Sequence, residues 1–172
     1  MDNSKQIIRF LGTALALYAV WYVCYDLWLF PDGRLDTWLS QQEVFLGDYG
    51  LRLLGYHAGH EGTTLLIDKY PVVLVGNPCN GMVLFALFAG FILAYPGPWK
   101  AKLFYVPTGI FLIYLLNVLR IMALALNSFL SRHTLEFNHK YTFAFVVYAC
   151  IFCFWMLWIK RYGKPDNATV TI

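Results

Sequence analysis

The stretch best equipped for chemistry is Asn77-Pro78-Cys79-Asn80-Gly81-Met82, where a polar, turn-rich segment gives way to a long apolar run. Asn77 suits a helix N-cap, because its side-chain oxygen can accept from an unpaired first-turn amide. Pro78 fits the first helical position, where no N–H is needed. Cys79 then falls in the first turn, among free N–H groups at the positive end of the helix dipole. Such a setting stabilises the thiolate, the nucleophilic form of cysteine. The competing reading of Cys79 is a small apolar side chain at a membrane edge.

Two further residues point to the same chemistry. Arg120 stands inside the apolar run Leu116-Asn117-Val118-Leu119-Arg120-Ile121. An Arg near mid-membrane costs roughly 2.5–3.5 kcal/mol on insertion scales. Asn117, three residues earlier, shares its helical face, so the pair suggests a polar pocket inside a bundle. The alternative is a structural Arg bonded to carbonyls or lipid phosphate. His139 follows Asn138, a cap candidate, and opens the next apolar run. A neutral imidazole can take a thiol proton, and the imidazolium then stabilises the thiolate. His133 in the same loop is the second-ranked candidate, and a headgroup-contacting His is the alternative for either.

The elements that must position these groups are membrane helices. Of the 172 residues, 59% are hydrophobic and 13% charged, about half the charge of an average soluble domain. Apolar runs of about 20 residues read as spans. The predicted fold is an all-α membrane protein in a single domain, residues 1–172. It has about four transmembrane helices, an outward-facing amphipathic helix and a candidate short β-hairpin. The spans are expected over residues 7–30, 81–95, 103–126 and 139–159. Residues 35–54 place Leu35, Trp38, Leu39, Phe45, Leu46, Tyr49 and Leu53 near helical spacing, with acids between them. This suggests a helix lying along the membrane surface. Residues 63–67 and 72–75 are β-prone and flank the turn Asp68-Lys69-Tyr70-Pro71.

Lys and Arg mark the sides. The N-terminus, the Lys100/Lys102 turn and the Lys160-Arg161 tail are basic, which assigns them and both termini to the cytoplasm. The segments before Cys79 and after Leu126 then face outward, and Cys79, Arg120 and His139 meet at the outer leaflet of an inner membrane. The net charge of +3 is spread out, so no nucleic-acid partner is expected. Cys24, Cys150 and Cys153 lie in apolar runs and suggest no disulfide framework. The histidines are not at ligand spacing with the cysteines. His57 and His60 read as part of a solvated Gly-rich loop. No metal and no cofactor is expected.

Cys-Asn-Gly at a helix start, Asn-x-x-Arg in the next apolar run and a His opening the one after resemble the exosortase/archaeosortase family over roughly residues 64–162. These are membrane cysteine transpeptidases acting on proteins with C-terminal sorting signals. The resemblance implies Cys79 as nucleophile, His139 as acid/base and Arg120 as transition-state stabiliser, with Asn117, Asn80 and Asn77 supporting. It implies exported clients carrying a C-terminal motif, a transmembrane span and a basic end. It also implies transfer to an acceptor such as a lipid or glycan, with membrane lipid as surroundings. Family members commonly have Cys-Ser-Gly, and here Asn80 replaces the serine. Two other readings compete. The Cys150-x-x-Cys153 pair would suit a thiol–quinone oxidoreductase, and a non-enzymatic membrane subunit would make all three residues structural.

Overall fold

A computed structural model describes residues 3–130 and 142–162. The first helix, α1 (Asn3–Trp21), continues through a π-helical stretch, Tyr22–Leu29, and a last turn, α2 (Phe30–Asp32). Gly33, at φ 68°, ends the helix, and α3 (Arg34–Leu53) follows. A three-stranded antiparallel sheet follows in the order β1 (Ala58–Glu61), β2 (Thr64–Ile67), β3 (Tyr70–Leu74). A 3₁₀ turn, Asn77–Cys79, leads to α4 (Met82–Ala94), α5 (Trp99–Leu130) and α6 (Phe143–Tyr162).

Three described helices are long and apolar enough to cross a membrane: Ser4–Asp32, Trp99–Leu130 and Phe143–Tyr162. The expected second span is the short apolar helix α4, with 13 residues. At about 1.5 Å per residue it is roughly 20 Å long. It packs against α1, α5 and α6. Its carboxyl end is completed by Lys102, whose Nζ donates to Leu93 O at 2.8 Å and Tyr95 O at 2.7 Å. A cation there satisfies carbonyls that have no intrahelical donor. Lys102 is therefore a structural cap as well as a flanking charge. Beneath α4, Gly109 of α5 lies so close to the Phe88 ring that a Cβ would overlap it. Phe88, Ile92, Ile113, Val147, Ile151 and Trp158 form the core of this end.

The other core joins the sheet to the helices. Leu65 and Ile67 alternate inward on β2 and pack with Val44 and Leu51 of α3, Val75, and Ile121 and Ala125 of α5. The expected hairpin is present as β2 and β3, joined by Asp68 and Lys69, both at positive φ. β1 is an additional strand, pairing Gly59 with Leu66. His60 on β1 does not sit in a purely solvated loop. Its Nδ1 lies 2.7 Å from Asp48 Oδ2, and Arg52 holds the same carboxylate with Nε at 2.7 Å and a second nitrogen at 3.0 Å.

α3 has two stripes. Asp36, Ser40, Glu43, Gly47 and Leu51 are buried, while Trp38, Phe45, Tyr49 and Leu53 are exposed. The acids thus face the protein and the aromatics face outward, as suits a helix at a lipid interface. Small side chains explain the choice. Ser40 and Gly47 lie on the inward stripe, and at Gly50 a Cβ would come within 2.8 Å of the Met122 side chain of α5, so α3 approaches α5 closely there.

Candidate active site

The turn that carries Cys79 is built differently from the expected helix start. Residues 77–79 form the 3₁₀ turn after Gly76, and no side chain caps it. Asn77 is therefore not a helix cap. Pro78 does occupy an opening position of that short turn, where its missing N–H is harmless. Cys79 N–H donates to Gly76 O at 2.8 Å. Gly81 then turns the chain at φ 73°, a conformation that costs other L-residues roughly 1–2 kcal/mol. α4 begins at Met82, so Cys79 lies just ahead of its first turn rather than within it.

Asn80 is the side chain that organises this entry. It is fully buried, and its Oδ1 accepts from Met82 N–H at 3.2 Å. Its Nδ2 donates to Asp36 Oδ1 at 2.6 Å. Tyr25 of the π-helical stretch donates to the same oxygen at 2.7 Å. An amide both accepts and donates in this way with fixed geometry, so Asn80 links α4 to α3 and, through Asp36, to the first helix. π-helical turns recur at functional sites, and this one presents Tyr25 to the residue that anchors the cysteine turn.

Asn117 of α5 is the second organiser. It is fully buried. Its Nδ2 donates to Cys79 O at 2.8 Å and to Glu43 Oε1 at 2.9 Å. Its Oδ1 accepts from an Arg120 guanidinium nitrogen at 3.4 Å. One amide thus joins the cysteine turn, α3 and the arginine one helical turn further on. Arg120 Nε is buried and has no hydrogen-bond partner among the described residues. The same holds for Asp36 Oδ2, Ser40 Oγ and Glu43 Oε2, all on the inward stripe of α3. Each such group costs about 1–3 kcal/mol, so a cluster of them marks a place kept polar at the expense of stability.

Cys79 itself is half-buried and borders the core beneath the sheet. Of the residues expected at the site, Cys79, Asn80, Asn117 and Arg120 are brought into one hydrogen-bonded region. Asn77 lies on the same turn without a capping bond. His139 and His133 fall outside the described residues. Among the described residues no group of three or more His, Cys, Asp or Glu side chains could hold a metal ion.

Glu43, Asp36 and Tyr25 were not among the expected site residues. Burial, opposed by the Asn117 hydrogen bond and by Arg120, pushes the Glu43 carboxyl up from 4.5 to about 8. The usable signal was the spacing of Asp36, Ser40 and Glu43, which places them on one helical face.

Residues 4–158 match the family model described as transmembrane exosortase. The match takes in α1 and α3, which the short motifs alone did not reach. No curated protein and no solved structure matches the chain.

Proposed function

Because the chain belongs to the transmembrane exosortase family, we propose that it is a cysteine protease/transpeptidase that cleaves the C-terminal sorting signals of exported proteins at the outer face of the membrane. Membership carries the broader protein-sorting role. The assignment of Cys79, Arg120 and His139, the orientation and the transfer step are our own reading. The observation that carries it is the Asn117 amide, which holds the Cys79 carbonyl on one side and meets Arg120 on the other.

In this mechanism His139 takes the Cys79 proton, and the thiolate sulfur attacks a client backbone carbonyl. The carbonyl π electrons move to oxygen, and the Arg120 guanidinium donates to the oxyanion. The Nε–H of Arg120, which has no hydrogen-bond partner among the described residues, supplies donor capacity for that charge. Preorganised donors of this kind contribute about 3–4 kcal/mol. The tetrahedral centre collapses, the C–N bond breaks, and His139 protonates the leaving amine. A thioester remains on Cys79 until an amine or hydroxyl of the acceptor attacks its carbonyl carbon and gives its proton to His139; the C–S bond then breaks, the Cys79 thiolate is released and transfer is complete. Water in that role gives proteolysis. Asn80 and Asn117 orient the turn and the arginine. Clients pair a recognition motif with a span and a basic end, so they enter the bilayer in the enzyme's own orientation.

Cys79→Ala in cells carrying such a client is expected to abolish processing, read as accumulation of full-length client on an immunoblot. Normal processing in that strain would end the proposal. Arg120→Lys is expected to slow processing about 100-fold, because Lys keeps the charge but lacks the planar fork of donors. Family membership favours this reading over a thiol–quinone oxidoreductase or a non-enzymatic subunit.

A further inference from the structure

Glu43 is fully buried on α3, 74 residues away in sequence from the Asn117 amide to which it is bonded. We propose that Glu43 is a positioning residue of the Cys79 site, fixing the orientation of the Asn117 amide and through it the Cys79 turn and the Arg120 guanidinium. The inference rests on Cys79 and Arg120 acting as proposed above.

The argument is one of donor and acceptor counting. The Cys79 carbonyl can only accept, so it takes one N–H of Asn117 Nδ2. Glu43 Oε1 takes the other. Two acceptors on one side fix which end of the amide is NH₂. Oδ1 must then face the guanidinium, as it does. Without the carboxyl, one N–H of Nδ2 is unpaired, and the amide keeps only its bond to Cys79 O and the long 3.4 Å bond from Arg120. Protonated at Oε2, Glu43 still accepts at Oε1 and leaves the Arg120 charge unopposed by a carboxylate there. Ionised, it is a buried anion whose attraction for Arg120 competes with any other anion at the site.

The charged and titratable groups acting on Glu43 among the described residues are few. Arg120 of α5 favours its ionised form. Tyr114, one turn before Asn117, lies within its electrostatic reach. The Cys79 thiol is on the turn bonded to the same amide. The carboxyl is pushed up to about 8 mainly by burial, so the change from neutral to anion falls in an accessible range.

The test uses the full chain in detergent micelles, with Cys24, Cys150 and Cys153 replaced by alanine so that Cys79 is the sole thiol. Its alkylation rates by iodoacetate and by iodoacetamide are measured across pH. Both need the thiolate, so their ratio cancels thiol ionisation and reports the local cation. Wild-type Glu43 is expected to give a ratio that falls about threefold or more as pH rises through about 8. Glu43→Gln is expected to remove that fall. Glu43→Leu is expected to lower the ratio below wild type on the acid side of that fall, because the amide and Arg120 lose their placement, and to show no fall of its own. Wild-type ratios and pH dependence in both Glu43 variants would overturn the proposal. Arg120→Met separates the two inferences. If it lowers the ratio while the Glu43 variants do not, only the role of Glu43 falls. If it leaves the ratio unchanged, the pairing of Cys79 with Arg120 falls, and the role of Glu43 with it.

Discussion

Asn117 and Asn80 do similar work at two ends of one turn. Each is a buried amide that joins the cysteine segment to an acid of α3, Glu43 in one case and Asp36 in the other. An amide suits this role because it donates and accepts without carrying charge into a buried place. Where family members commonly have serine, Asn80 reaches both Asp36 and the Met82 amide. Glu43 imposes a measurable cost. Burial pushes its carboxyl from the ordinary 4.5 of an unfolded chain up to about 8. Between those values the unfolded state binds fewer protons, so stability falls as pH rises across that window and is flat on either side. Glu43→Gln removes the titration. Thermal unfolding in detergent should show the variant gaining on the wild type from about pH 5 to pH 8, with no further gain above. A constant difference at all pH values would contradict the placement of this carboxyl.

The elements that hold the site depend on close approach. α4 is one, crossing α5 where Gly109 lies against Phe88. Gly109→Ala forces the ring or the helix to move, and overpacking of this kind costs about 1–3 kcal/mol. A lower unfolding temperature in detergent is the expected result, with Gly12→Ala as the control, since nothing lies within 4 Å of a Cβ there. An equal effect of both would show that the α4–α5 crossing is not tight. α3 is the other such element. Its period was legible in the sequence, but the face it buries was not. As a surface helix, α3 is expected to set Trp38, Phe45 and Tyr49 against lipid, and nothing in the spacing shows that the acids between them are buried against the protein. At a lipid boundary the same stripe faces outward, and the stripe with Ser40 and Gly47 packs inward.

At the scale of the molecule, the sheet packs on α3 and α5, and the strand β3 leads directly into the cysteine turn. The proposed orientation therefore makes a simple prediction about sidedness. Glu61 is exposed on β1. Glu61→Cys, in a chain whose native cysteines are replaced by alanine, should react with a membrane-impermeant maleimide in intact spheroplasts. Reaction only after permeabilisation would put the sheet, and Cys79 with it, on the cytoplasmic side. Basic flanks at the N-terminus, Lys100 and Lys160-Arg161 support the outward assignment. Lys102 adds less to that argument than its charge suggests, because it is tied to the end of α4.

The sequence by itself determined the membrane class, because runs of apolar residues long enough to span admit few other environments. It also determined the shared face of Asn117 and Arg120, since a three-residue separation is fixed by helical geometry. Only the tertiary structure decided where α4 begins, because Asn77 and Gly81 are both chemically acceptable boundaries and a buried Asn80 selects the second. It alone brought in Glu43 and Asp36, whose partners lie 74 and 44 residues away. It also added β1, where Ala58-Gly59-His60-Glu61 has little strand character of its own and is held by pairing with β2. Local spacing records a helix and its faces; which face is buried depends on what the rest of the chain offers opposite it.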